Sequence, residues 1–377
     1  MGTPKNSWLV GAAMRPAIWL PELALNIYWY GGHFLAIAIF MLGVWMLALR
    51  LSGSTQLAWL ELLTLNVSGI INFDIIPYND NYLLVMLLPL MMLFFQLTIT
   101  GSTTWWLAFA LAVGLAMMAK YSTFAFVFII VLATLLVPLI CRCYRQPQFY
   151  LAVAVWLALV LPNLYWLWQH DFAALKCVGS QTNMQFKLGI MRSMPLVFYT
   201  LFFLWLILRW QELCYPGRAT YRCAVLLWVY LLPLGIITCW LYFNVDNRLT
   251  EWLQPFLMLA PALLVSCVRQ PPTRRSLRPS VIGLLCIALA TCLGYGVVML
   301  ANVRNARQKM VGIKAFSTRI EQSWQQRYGK KLRYVGGAYL SQWMTVYVNS
   351  HPQTITRWSN PAQPNIYNAQ VSFSQIV

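Results

Sequence analysis

The sequence predicts an all-α polytopic membrane protein carrying a small α/β tail at its C-terminus. Three observations predict it. Of 377 residues, 60% are hydrophobic and only 10% charged, too few charges to cover a soluble fold of this length. The apolar residues fall in runs that approach or reach the ~20 needed to cross a hydrocarbon core of ~30 Å, as in Phe34 to Leu49 and Ser122 to Ile140. Beyond residue 302 the pattern changes to short amphipathic elements separated by charged and polar residues.

Turn and charge signals divide the apolar runs into about ten crossings. They cover 32–49, 56–73, 82–100, 104–119, 121–140, 149–168, 192–209, 221–243, 252–268 and 279–302. The second is the weakest, because it carries Glu61 and Asn66. A partly apolar stretch from Trp8 to Tyr30, interrupted by Pro16 and Pro21, precedes the first. Met1 to Ser7 is polar and lacks the charged-then-apolar pattern of a cleaved leader. The expected organisation is a juxtamembrane segment over 1–31, a transmembrane domain over 32–302 and an extracytoplasmic tail over 303–377.

Alternate loops sort by charge. One set holds Arg50, Arg142, Arg145, Arg209, Arg218, Arg222, Arg269, Arg274, Arg275 and Arg278, with Glu212 its only acid. The other holds Asp74, Asp80, Lys120, Asp171, Lys176, Lys187, Arg192, Asp246, Arg248 and Glu251. The excess of basic residues assigns the first set to the cytoplasm. The tail, beginning Arg304, Arg307, Lys309 and Lys314, then lies outside, which is acceptable because long segments translocate largely regardless of charge. The same counting puts the N-terminus outside with no helix to carry it there. The expectation is a chain that lacks a first transmembrane helix and part of the loop after it.

A net charge of +18 raises the question of nucleic acid. The basic residues are spread through short loops and the tail rather than gathered on one face, so no nucleic-acid partner is expected. Of nine cysteines, Cys239, Cys286 and Cys292 lie in apolar spans, and none is in the tail; this is use as small hydrophobes, not a disulfide framework. No Walker A loop, HExxH, GxSxG or dinucleotide glycine pattern occurs, and no nucleotide or organic cofactor is expected.

In the tail, Val311 to Tyr328 reads as an amphipathic helix with Ile313, Phe316, Ile320 and Trp324 on one face. Leu332 to Val335 reads as a strand, Tyr339 to Val348 as a helix and Thr354 to Trp358 as a second strand. The Asn/Gln/Ser/Pro-rich end from Asn360 predicts little regular structure.

Four groups of residues could carry chemistry, all in outer loops. Asp74 to Asn81 crowds two carboxylates and two amides into a short turn; Asn79, Asp80 and Asn81 read either as a metal or sugar site or as a solvated turn around Pro77. Lys120, between two apolar spans, is costly at that depth; it reads as a ligand for a lipid phosphate or as a lysine snorkelling beside an interfacial Tyr121. His170 and Asp171, after a Trp-rich run, read as a proton-relay pair or as a helix end. Arg248, ahead of Trp252 and Pro255, reads as a phosphate clamp or as a charged loop beside an interfacial tryptophan.

The order of these features resembles a known family. Asn79-Asp80-Asn81 heads a Leu-rich span, and Trp105 and Trp106 open the next. Then come Gly114-Leu-Ala-Met-Met-Ala-Lys-Tyr-Ser122, an arginine pair, and Leu161-Pro-Asn-Leu-Tyr-Trp with His170, Asp171 and Phe172. Glu251-Trp-Leu-Gln-Pro and the tail from Tyr334-Val-Gly-Gly add to it. The chain is similar to family 39-type polyprenyl-phosphate-dependent glycosyltransferases of GT-C fold, relatives of protein O-mannosyltransferases and of the aminoarabinose transferase that modifies lipid A. The resemblance implies a lipid-phosphate sugar donor, an acceptor hydroxyl on a glycan, lipid or protein, and an inner-membrane location. It implies that Lys120, and more weakly Arg248, contact the donor phosphate. Asp80 or Asn81 would occupy the family's second acidic position, Asp80 with a divalent metal. Asn79, Tyr121, His170, Asp171 and Trp252 would line the cavity. The family's first loop, with its acidic pair and later His-Pro-Pro-Leu-like segment, is not found. The principal catalytic aspartate is therefore expected to be missing and the chain inactive alone; Glu22 is a poor replacement. The rival reading is a transporter or lipid flippase.

Overall fold

Helix boundaries near the N-terminus follow the prolines, which cannot sit inside a helix without losing a hydrogen bond. In the computed structural model, helix α1 (Trp8–Met14) is followed by a 3₁₀ turn (Arg15–Trp19), and α2 (Glu22–Ser52) begins immediately after Pro21. The structure describes residues 8–19, 22–67, 81–98, 102–135, 141–169, 172, 221–244, 255–266, 268, 274–337, 348, 350 and 352–356. The helix expected from residue 32 thus starts at Glu22. The pair Gly31-Gly32 lies inside this helix; a glycine costs a helix only ~1 kcal/mol, and the apolar positions after the pair outweigh that.

The chain continues with α3 (Thr55–Val67), α4 (Tyr82–Thr98), α5 (Thr103–Ala119), α6 (Ser122–Leu135), α7 (Pro147–Gln169) and α8 (Tyr221–Asn244). An apolar helical segment, Pro255–Ser266, ends in α9 (Ala260–Ser266), and α10 runs over Arg274–Tyr328. Among the described residues, three stretches are long and apolar enough to cross a membrane: Ile27–Ser52, Pro147–Gln169 and Leu277–Gly294. The protein is a helical membrane protein. Helix α5 covers the whole span expected over 104–119, α4 and α6 cover the described parts of those expected over 82–100 and 121–140, and the crossing expected at 192–209 lies outside the described residues.

Residues 1–288 form one compact unit. Its core joins Phe40, Val44 and Leu47 of α2, Leu57 and Leu60 of α3, Leu84 and Leu88 of α4, and Ala116 and Met118 of α5, all essentially without exposed surface. Small residues allow the helices to approach closely. A Cβ on Gly114 of α5 would sit 2.8 Å from Leu159 Cδ1 of α7, and one on Gly43 of α2 would sit 3.4 Å from Pro89 Cβ of α4. Trp156 of α7 donates from Nε1 to Met117 Sδ of α5 at 3.1 Å. Phe126 of α6 packs on Phe256 at 4.7 Å and edge-on to Tyr230 of α8 at 6.3 Å. Outward-facing Leu151, Leu161, Tyr165 and Trp168 of α7 and Leu285 of α10 are exposed, as suits positions that meet lipid.

Residues 289–377 form the second unit. Strand β1 (Tyr334–Gly337) pairs parallel with β2 (Gln353–Thr356), Tyr334 opposite Gln353 and Gly337 opposite Thr356. Leu332, Val335 and Val348 are buried, with Ile320 and Trp324 of α10 packed on them. The helix face differs from the expected one: Phe316 is exposed and Ser317 is buried. Ser350 N–H donates to Glu321 Oε1 at 2.9 Å. The helix expected over Tyr339 to Val348 lies outside the described residues except for Val348, as does the chain end from Asn360.

Candidate functional site

Lys120 stands at the joint between α5 and α6. Its backbone is extended (φ −153°, ψ 132°), which stops α5, and its N–H closes the last turn on Ala116 O at 3.1 Å. The chain re-enters a helix at once, with Thr123 N–H bonded to Lys120 O at 3.1 Å and Phe124 N–H to Tyr121 O at 3.0 Å. The lysine therefore lies where the negative end of one helix dipole meets the positive end of the next. A cation is favoured by the first and an anion beside it by the second.

The side chain turns inward instead of snorkelling. Lys120 is only 7% exposed, and its Nζ donates to Asn81 Oδ1 across 39 residues of sequence. Asn81 itself is fully buried and its carbonyl starts α4, accepting from Val85 N–H at 2.8 Å. The sequence reading pairs neither residue with the other; the structure brings them together by packing α4 against α5. Tyr121 is half-buried, its ring 6.4 Å from that of Phe124.

A third element reaches this end of the bundle through residues that spacing alone does not single out. His33 of α2 is fully buried, its ring stacked on Tyr82 at 4.0 Å and 27°. Trp29 lies 4.4 Å from His33 and 6.3 Å from Tyr82, and Trp29 O is 2.8 Å from His33 Nδ1. Tyr82 follows Asn81 directly, so the stack fixes the turn that presents Asn81 to the lysine. The signal in the sequence is that His33 is one of three histidines and sits inside an apolar run. Replacing His33 by leucine is expected to lower the thermal midpoint in detergent more than replacing it by phenylalanine. The difference is about 1 kcal/mol, the size of an aromatic contact beyond its area. Equal midpoints for the two variants would mean that the stack does not hold the turn.

Of the other expected site residues, Asp74, Asn79, Asp80, His170, Asp171, Arg248, Glu251 and Trp252 lie outside the described residues. Among the described residues no group of three metal-type side chains comes together, and Cys141, Cys239, Cys286 and Cys292 are free thiols.

A lysine and an amide buried together at a break between apolar helices call for comparison with known proteins. Residues 27–166 match the family model of dolichyl-phosphate-mannose-protein mannosyltransferases. The matched region runs from Ile27 of α2 to Trp166 of α7 and so contains His33, Asn81, Tyr82 and Lys120; it is under half of the 377 residues. It supports a relationship to membrane glycosyltransferases of the mannosyltransferase type. No curated protein and no solved structure matches the chain.

Proposed function

We propose that the protein binds a polyprenyl-phosphate sugar and belongs to a reaction that transfers the sugar to an acceptor hydroxyl at the outer face of a bacterial-type inner membrane. The match of residues 27–166 to the mannosyltransferase family carries this reading. The buried Lys120–Asn81 pair inside that region supports it.

In the proposed reaction the acceptor oxygen attacks the anomeric carbon as the bond from that carbon to the phosphate oxygen breaks. The lipid phosphate departs with the electron pair, and the acceptor proton passes to a base, for which Asp80 is the candidate. Lys120 supplies fixed positive charge where negative charge grows, a pre-oriented contribution that costs no reorganisation during the step. Arg248 is the candidate for a second phosphate contact, and Asn79, Tyr121, His170, Asp171 and Trp252 for the walls of the cavity. Asp80 is the candidate ligand for a divalent metal, while Asn81 Oδ1 accepts from an ammonium, a poor neighbour for such a cation. The arginine-rich loops support a cytoplasmic opposite face and a periplasmic tail.

The test is binding of the donor lipid by the full chain in nanodiscs. Polyprenyl-phosphate sugar is expected to bind saturably and to be displaced by polyprenyl phosphate at far lower concentration than by polyprenol of the same length. Equal displacement by the alcohol would remove the phosphate from the recognition and the reading with it. One observation favours the rival transporter reading: Glu61, an ionisable residue fully buried within an apolar helix. Such residues often mark ion or substrate paths.

A further inference from the structure

Five hydroxyls in the apolar helices are used in one way. Ser52, Thr64, Thr98, Thr134 and Ser266 each donate to a carbonyl one turn earlier, at 2.7, 2.7, 2.6, 2.7 and 2.5 Å. This is the ordinary solution for a hydroxyl in an apolar helix, because the i−3 or i−4 carbonyl is within reach. Ser122 and Thr123 break the pattern. They are the first two residues of α6, so the carbonyls three and four residues before them belong to Met118 and Ala119 of α5 or, for Thr123, to the extended Lys120, whose carbonyl already accepts from Thr123 N–H at 3.1 Å. Both hydroxyl oxygens are buried and have no hydrogen-bond partner among the described residues, and Thr123 has no exposed surface at all.

A buried hydroxyl without a partner costs about 1–3 kcal/mol, and two adjacent ones call for a reason. Their position supplies it. Side chains in a helix tilt toward its N-terminus, so those of the first turn of α6 lean toward the joint where Lys120 stands. The joint then gathers one ammonium, two hydroxyl donors and the positive end of a 14-residue helix, all suited to the same anion. We infer that Ser122 and Thr123 are phosphate-binding residues, donating to non-bridging oxygens of the lipid phosphate that Lys120 neutralises. This rests on the proposed donor-binding function and extends it to residues that the arrangement of charge alone does not identify. The ligand chemistry is that of a phosphate ester on a polyprenyl chain; inorganic phosphate shares the head group and lacks the chain.

The experiment measures binding of polyprenyl phosphate, polyprenol and inorganic phosphate to the full chain in nanodiscs. Variants are Ser122→Ala, Thr123→Val, the two together, Thr123→Ser, and Lys120→Met in parallel. Each single loss is expected to weaken polyprenyl phosphate binding about fivefold, and the double variant about 20-fold. Polyprenol binding is expected to be unchanged, Thr123→Ser to retain most of the affinity, and inorganic phosphate to compete only weakly. If Lys120→Met weakens phosphate binding and the hydroxyl variants do not, the inference is wrong and the donor-site reading stands. If Lys120→Met has no effect either, the donor-site reading falls as well. A parallel loss of phosphate and polyprenol affinity in the hydroxyl variants would assign them a purely structural role and overturn the inference. Inorganic phosphate that binds as tightly as the lipid would make the joint a site for the free ion.

Discussion

Lys120→Met is expected to weaken binding of polyprenyl phosphate by on the order of 10- to 100-fold, the equivalent of ~1.5–3 kcal/mol for a hydrogen bond to a charged group. Methionine is unbranched and replaces all of the lysine side chain but its ammonium, so the 7% exposed residue is exchanged with little change in packing. Affinity for polyprenol is expected to stay the same, which separates loss of charge from loss of fold. Lys120→Arg is expected to recover only part of the affinity. A planar guanidinium has different reach and hydration from an ammonium, and the donor to Asn81 Oδ1 must still fit. The measurement is a set of binding isotherms at two salt concentrations. A buried lysine is screened less than a surface one, so the difference between wild type and Lys120→Met should survive added salt. Unchanged phosphate affinity in Lys120→Met would take the lysine out of the site.

How much of this was legible in the sequence differs from residue to residue. The helical membrane class follows from composition alone, because few charges in long apolar runs have no soluble solution. Lys120 stood out because a cation between two apolar runs is expensive, and cost is a property that sequence displays. Its partner did not stand out: Asn81 is distant in sequence, and only the packing of α4 against α5 makes the pair. His33 is hidden for a related reason. A histidine in an apolar run looks like any satisfied core residue until Tyr82 is found against its ring. Ser122 and Thr123 carry no mark in the sequence, and their unusual state emerges only in the fold, where the helix before them is interrupted at the extended Lys120 and neither hydroxyl has a partner among the described residues. In the tail, Ile320 and Trp324 of the expected stripe pack on the strand region, while Phe316 is exposed and the smaller Ser317 is buried in its stead.

Glu61→Leu is expected to raise the thermal midpoint of the protein in detergent, by a stabilisation of about 2 kcal/mol. Glu61 made α3 the weakest span in the sequence, and the structure sharpens the reason. The residue has no exposed surface, and neither carboxyl oxygen has a hydrogen-bond partner among the described residues. Its own helix offers no relief: Thr64, one turn on, gives its hydroxyl to Leu60 O. Among the described residues α3 packs chiefly on α2 and the apolar α9, and the buried residues around it on α3 include Leu57, Ala58, Leu60 and Leu65. A polar group that is neither hydrated nor bonded subtracts from stability, and leucine of similar volume removes that penalty. Glu61→Gln should gain less, because an amide still lacks a partner. If Glu61→Leu lowers the midpoint, the carboxyl has a partner that stabilises the fold. If the midpoint rises while phosphate-lipid binding is unchanged, the carboxyl is dispensable for donor recognition. A raised midpoint with movement of lipid across the bilayer lost would instead place Glu61 on a transport path and favour the rival function. A stabilised variant that has lost its activity is the pattern expected where a protein retains a costly buried group for function.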